Sequence, residues 1–128
     1  MDEKIYQEEL MDHYKNPSNR KKIEDPDFAA GEHNPSCGDK IYIEGKMSNF
    51  GTLVDVGFSG VGCVISQATT SMLTELCKGM TAEQILALTK ENILNMIGLK
   101  LGPNRLKCAL LSLQVLQQGM IDFLKKNT

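Results

Sequence analysis

The sequence has no basic excess: 14 Lys and Arg stand against 16 Asp and Glu, for a formal net charge of −2. With a pI near 5.7, this argues against a nucleic-acid binder, which shows clustered positive charge. No stretch reaches the run of about 18 apolar residues that a membrane span requires. Behind Asp2, Glu3 and Lys4 there is no apolar run, and the N-terminal segment is not Arg-rich and acid-poor. Neither a secretory leader nor a transit peptide is therefore read, and the expectation is a soluble cytoplasmic protein. No C-x-x-C pair occurs, so no standard zinc finger is present. There is no internal repeat, linker or low-complexity tract. Residues 1–128 read as one domain, and a chain of this size buries about two-thirds of its unfolded surface, enough to fold without disulfide staples. What is present is ordinary globular composition, 41% apolar and 23% charged.

The first segment predicts an amphipathic helix. Asp2 is the N-cap candidate, and Tyr6, Leu10, His13 and Tyr14 form a helical stripe widened by Ile5 and Met11. The helix should stop before Asn16-Pro17. Ser18 to Glu32 lacks periodicity and reads as an irregular loop. From Lys40 the period changes to two: Ile41, Ile43 and Met47 alternate with polar neighbours, a strand signal. Ser48-Asn49-Phe50-Gly51 reads as a turn. Val54, Val56 and Phe58 predict a second strand, and Ser59-Gly60 a turn into a short third one at Val61–Val64. Helices follow: Ile65–Lys78 ending at Gly79, a capping box at Thr81–Gln84, a helix from Thr89 closing at Gly98, and, after Gly102-Pro103-Asn104, a long stripe from Leu106 to Leu124. Short connections make the sheet antiparallel. The predicted class is α+β: a three-stranded antiparallel sheet with helices packed on one face.

Four cysteines occur: Cys37, Cys63, Cys77 and Cys108. In a reducing cytosol two roles stay open for them, small buried hydrophobe or metal- and sulfur-binding thiolate. Cys37 and Asp39 flank Gly38, and if the strand extends back that far they share a face. A thiolate and a carboxylate would then meet one ion, zinc or iron. Cys63 follows Gly60-Val61-Gly62 where a helix should begin, and a helix N-terminus stabilises a thiolate. Cys108 follows Arg105 and Lys107 in the first turns of the last helix, where two cations favour the same state. Cys77 lies late in its helix beside Leu76 and reads as a spectator. His13 reads as structural, His33 stays ambiguous, and Lys125 and Lys126 read as a solvated helix end.

At these residues the sequence resembles the IscU/SufU/NifU N-terminal type of iron–sulfur cluster assembly scaffold, over nearly the whole chain. The marks are Asp12-His13-Tyr14 with Asn16-Pro17 and Asn19, then Asn34-Pro35-Ser36-Cys37-Gly38-Asp39. Gly60-Val61-Gly62-Cys63-Val64-Ile65-Ser66-Gln67-Ala68 and Arg105-Leu106-Lys107-Cys108 complete them. The resemblance implies a scaffold that takes sulfur from a cysteine desulfurase, gathers iron, builds a transient [2Fe–2S] cluster and passes it to acceptor proteins. The implied ligands are Cys37, Cys63 and Cys108, with Asp39 at the metal site and linked to cluster lability. Cys108 is the implied sulfur acceptor, with Arg105 and Lys107 in support. Such a scaffold is a carrier rather than a conventional enzyme, and its site should be solvent-accessible. Thiolates are the soft ligands that such clusters use.

Two features depart from the pattern. Lys107 stands where many members carry a histidine, and an ammonium cannot ligate. Arg-x-Lys-Cys is closer to the SufU branch, which binds zinc and accepts sulfur, so a zinc-dependent sulfurtransferase is the alternative function. That branch carries an insertion between the second and third cysteines for which this chain is too short. Leu101-Gly102-Pro103-Asn104-Arg105 matches the family's Leu-Pro-Pro-Val-Lys segment only in part, which puts dependence on a dedicated Hsp70-type chaperone in doubt.

Overall fold

The chain is described by a computed structural model over residues 3–35 and 38–127. A helix, α1 (Glu3–Lys15), precedes three strands, β1 (Phe28–Asn34), β2 (Asp39–Met47) and β3 (Leu53–Val61). Four helices follow: α2 (Val64–Cys77), α3 (Ala82–Leu86), α4 (Lys90–Ile97) and α5 (Pro103–Lys126). The strands form one antiparallel sheet in the order β1-β2-β3, so the expected α+β class with a three-stranded antiparallel sheet holds. The strands themselves lie elsewhere than expected. Phe28–Asn34 is β1, although its residues up to Glu32 fell in the expected irregular loop. Residues 59–61 do not turn but continue β3, and Val64 opens α2 rather than ending a strand. The charges of β1 hid it: Glu32 and His33 are exposed at a sheet edge, where alternation is weakly enforced.

Side-chain alternation places Ile41 and Ile43 of β2 on the buried face, with Phe58 directly opposite Ile43. Val54 is exposed and Leu53 fully buried, the reverse of the expected order. The register shifts between Lys46 and Met47, and such an irregularity moves the following residues to the other face. The helices cover the buried face: α5 lies against β1 and β2, and α2 against β3. Phe28 fits this layer because Gly45 below it and Gly119 on α5 carry no side chain; a Cβ on either would stand 2.7 or 2.6 Å from its ring.

α2 is buried nearly all round. Its apolar side, Ile65, Ala68, Met72 and Leu73, belongs to the core. Its hydroxyl side faces α1 and the turn after it: Ser71 Oγ lies 2.8 Å from His13 Nδ1 and accepts the Ser18 N–H at 2.7 Å. His13 is thus structural, as expected. The α1 stripe is narrower than expected, since Leu10 is buried while Ile5, Met11 and Tyr14 are exposed. Leu76 is likewise exposed, and Cys77 takes the inward position beside it. The Asp2 cap lies outside the described residues. The later punctuation agrees with expectation. Thr81 and Thr89 each accept a backbone N–H and form capping boxes with Gln84 and Asn92, Gly98 ends α4 in the left-handed region, and Pro103 is the first residue of α5. No helix among the described residues is long and apolar enough to cross a membrane.

Candidate metal centre

Three elements converge at one end of the sheet. β2 begins at Asp39, which pairs with Asn34 across the β1–β2 hairpin. Gly38 just before it adopts φ 75°, a left-handed conformation that glycine accepts without steric cost. The strand begins after Gly38, and the shared-face argument for Cys37 and Asp39 falls on a residue that is not described. Cys37 lies outside the described residues.

Asp39 is fully buried, a costly place for a carboxylate unless hydrogen bonds hold it. Its Oδ1 accepts the backbone N–H of Cys63 at 2.8 Å, and the Cys63 thiol donates to Oδ2 at 3.4 Å. This approach depends on Gly62, whose φ is 150°. A Cβ there would overlap Asp39 Oδ1 and stand 2.7 Å from its Cγ. Cys63 is the N-cap of α2, and its sulfur accepts the Ser66 N–H at 3.5 Å. The Ser66 hydroxyl donates to the Cys63 carbonyl at 3.2 Å. A first-turn helix N–H, which has no partner within the helix, is thereby satisfied by the Cys63 sulfur and fixes its position.

Cys108 approaches from α5. One donor atom each from Asp39, Cys63 and Cys108 lies within 4.8 Å of the others. Asp39 and Cys108 are buried and Cys63 is exposed, so among these three the cluster meets solvent at Cys63. Ligands about 2.0–2.3 Å from a tetrahedral zinc ion stand roughly 3.3–3.8 Å apart, so small side-chain shifts close this set on one ion. Two sulfurs and an oxygen suit zinc, iron or an iron–sulfur cluster.

Cys108 is the sixth residue of α5, in its second turn, within the first turns of the helix as expected. Arg105 and Lys107 are exposed on the same turns. Lys107 borders a groove between β1 and α5, together with His33, Asn34 and Leu111. Cys77 is buried away from this cluster, and burial pushes its thiol up to about 12, which keeps it protonated and unreactive. Sequence reading did not find Ser66. Its signal was available, because a hydroxyl three residues after an N-cap is where a capping partner stands.

A model of the NifU-like N-terminal domain matches residues 5–128. An Archaeoglobus fulgidus protein, iron–sulfur cluster assembly scaffold protein IscU 1, is 35% identical over 96% of this chain and 79% of its own length. The Bacillus subtilis zinc-dependent sulfurtransferase SufU is 34% identical over 91% of this chain and 89% of its own. That alignment spans 134 positions, more than this chain has, so the Bacillus protein carries residues this chain lacks. Among solved structures, a candidate cluster assembly scaffold of the SUF system from Fervidobacterium islandicum superposes with a TM-score of 0.74 at 29% identity, covering 94% of this chain and 99% of that one.

Proposed function

The chain belongs to the NifU-like N-terminal domain family, and we propose that it is a single-domain scaffold on which a transient [2Fe–2S] cluster is assembled from iron and desulfurase-derived sulfur. The observation that carries this reading is the meeting of Asp39, Cys63 and Cys108 from three separate elements, with donor atoms within 4.8 Å. Cys37, the remaining cysteine of the motif set, completes the proposed ligands. Named scaffolds among the relatives support the reading.

Cys108 is the proposed sulfur acceptor. Its thiolate attacks the outer sulfur of a desulfurase persulfide. A Cys108 S–S bond forms, the desulfurase S–S bond breaks, and the desulfurase cysteine leaves as thiolate. Reduction of the bound sulfur to sulfide then requires an external electron donor of the thiol or ferredoxin class. Iron and sulfide are cargo held by the cysteine thiolates. Asp39 holds one edge with an oxygen donor that is harder than thiolate, so the cluster is bound less firmly than by four cysteines and can pass to acceptor proteins. The protein is proposed to act in the cytoplasm as a carrier, and a dedicated Hsp70-type chaperone is not part of the proposal. Arg105 and Lys107 are proposed to draw the anionic persulfide toward Cys108 from their exposed positions.

A second reading is a zinc-dependent sulfur acceptor, favoured by Arg105-x-Lys107-Cys108 and by the Bacillus relative. Zinc would be held by Cys37, Asp39, Cys63 and Cys108, and it would supply stabilisation of the thiolate form. The test is intact-mass and peptide-mass analysis after incubation with a cysteine desulfurase and cysteine. One added sulfur atom should map to Cys108 and be absent in Cys108→Ser. Undiminished loading of Cys108→Ser would overturn the assignment.

A further inference from the structure

The Asn16-Pro17-x-Asn19 motif contributes no ligand, yet its turn ends beside Cys63. Asn19 takes φ 66°, a left-handed conformation that asparagine tolerates better than most residues. The turn is fastened on both sides. Asn19 Nδ2 donates to Thr74 Oγ1 at 3.2 Å, and the Asn19 carbonyl accepts the Phe58 N–H at 2.9 Å. The chain reversal carries the next side chain, Arg20, over the Phe58 ring, with its guanidinium 5.6 Å from the centroid.

From there the guanidinium reaches both flanks of Cys63. Nη2 donates to the Gly60 carbonyl at 2.9 Å, and Nη1 donates to Gln67 Oε1 at 2.9 Å. Gly60 lies in the strand end that leads into Cys63, while Gln67 lies one turn into the helix that Cys63 caps. With its Oε1 engaged, Gln67 presents Nε2 to Ser66 Oγ at 3.4 Å. Ser66 in turn holds Cys63 through its backbone N–H and its hydroxyl. The segment between the two anchor points contains Gly62, which has no side chain to pack it in place. Gly60 and Gly62 lose more conformational freedom on ordering than other residues would, so a clamp from outside the segment has most effect here.

We infer that Arg20 is a positioning residue for Cys63: its planar fork locks the strand end and the first helical turn to each other, and so fixes the sulfur toward Asp39 and Cys108. A lysine has the charge but not the fork, so it can satisfy one acceptor at a time. This inference rests on the proposed metal-binding function for one of its two tests and is independent of it for the other.

The first test measures zinc release from zinc-loaded protein to an excess of a chromogenic chelator. Loss of groups that orient ligands lowers metal affinity about 10–100-fold. Arg20→Ala and Gln67→Ala should each release zinc roughly tenfold faster, and the double variant little faster than either. Arg20→Lys should fall between wild type and Arg20→Ala. Lys21→Ala, which removes the neighbouring exposed ion pair with Asp55, should release at the wild-type rate. The second test uses metal-free protein and reads amide hydrogen exchange at Cys63, whose N–H is held by Asp39. Arg20→Ala should speed it about tenfold while leaving the buried Leu73 amide unchanged. Wild-type exchange at Cys63 in Arg20→Ala would overturn the inference, as would additive effects of the two substitutions or full rescue by lysine. A wild-type protein that takes up no zinc contradicts the proposed function instead, and the exchange result still decides on Arg20.

Discussion

Replacing Gly62 by alanine probes the tightest approach in the site. The new Cβ would overlap Asp39 Oδ1, and the other atoms near it are Asp39 Cγ at 2.7 Å and Cα at 3.0 Å. Asp39 is fully buried at the start of β2, so its backbone cannot retreat, and its carboxylate must swing away. That breaks the 2.8 Å bond from the Cys63 N–H. A hydrogen bond to a charged group contributes about 1.5–3 kcal/mol. Backbone strain at φ 150° adds about 1–3 kcal/mol. The expected loss is about 2.5–6 kcal/mol, a large part of the roughly 5–15 kcal/mol that holds a domain folded. Gly79→Ala is the control. It sits at φ 90° with nothing within 4 Å of the added Cβ, so strain of about 1–2 kcal/mol acts alone. Urea denaturation of the metal-free proteins gives both values from midpoint and slope. If Gly62→Ala loses no more than Gly79→Ala, the Asp39 contact carries no cost and the described geometry of the site is wrong.

The raised Cys77 thiol makes stability depend on pH. Its folded value, about 12, exceeds the ordinary value of 9.0, so the folded state keeps a proton that the unfolded state loses. Stability from this group is full below pH 9 and falls as pH rises from 9 towards 12, by at most about 1.4 kcal/mol per pH unit. Urea midpoints at pH 8 to 10.5 should fall more steeply for wild type than for Cys77→Ala; parallel curves would contradict the burial argument. Phe28→Ala leaves a gap between Gly45 and Gly119 and should cost about 3–5 kcal/mol in the same assay, showing that the missed strand is a core element. Thr89→Ala removes the cap of α4 and should cost about 1 kcal/mol, against near zero for the exposed Glu91→Ala.

The helices were legible because their ends carry local chemistry. Thr81, Thr89, Gly98 and Pro103 act through bonds within a few residues, so spacing alone finds them. The sheet was legible in class and strand number but not in place. β1 forms only because Phe28 finds its slot against α5 and because β2 supplies its partners, and neither is a local property. Val54 and Leu53 exchanged faces because consecutive Lys46 and Met47 pair with Asp55 and Leu53, leaving Val54 as an extra residue of β3, and such a slip is set by pairing rather than by local spacing. At the site, the cysteine motifs named the candidate ligands, and Asp39, Cys63 and Cys108 do meet. Burial of Asp39 and Cys108 was not legible, and among the described ligands only Cys63 meets the expectation of an open site. The role of Gly62 required knowing which carboxylate lies against it. The work of Arg20 depends on a left-handed turn at Asn19 that brings residues distant in sequence together.

The most direct measurement is iron and acid-labile sulfide analysis after anaerobic incubation with ferrous iron, sulfide and thiol, run on wild type and on Cys63→Ser combined with Cys108→Ser. The account predicts equimolar iron and sulfide with thiolate-to-iron absorption in wild type, and neither in the double variant. Equal cluster content in the two proteins, or none in wild type, would contradict it.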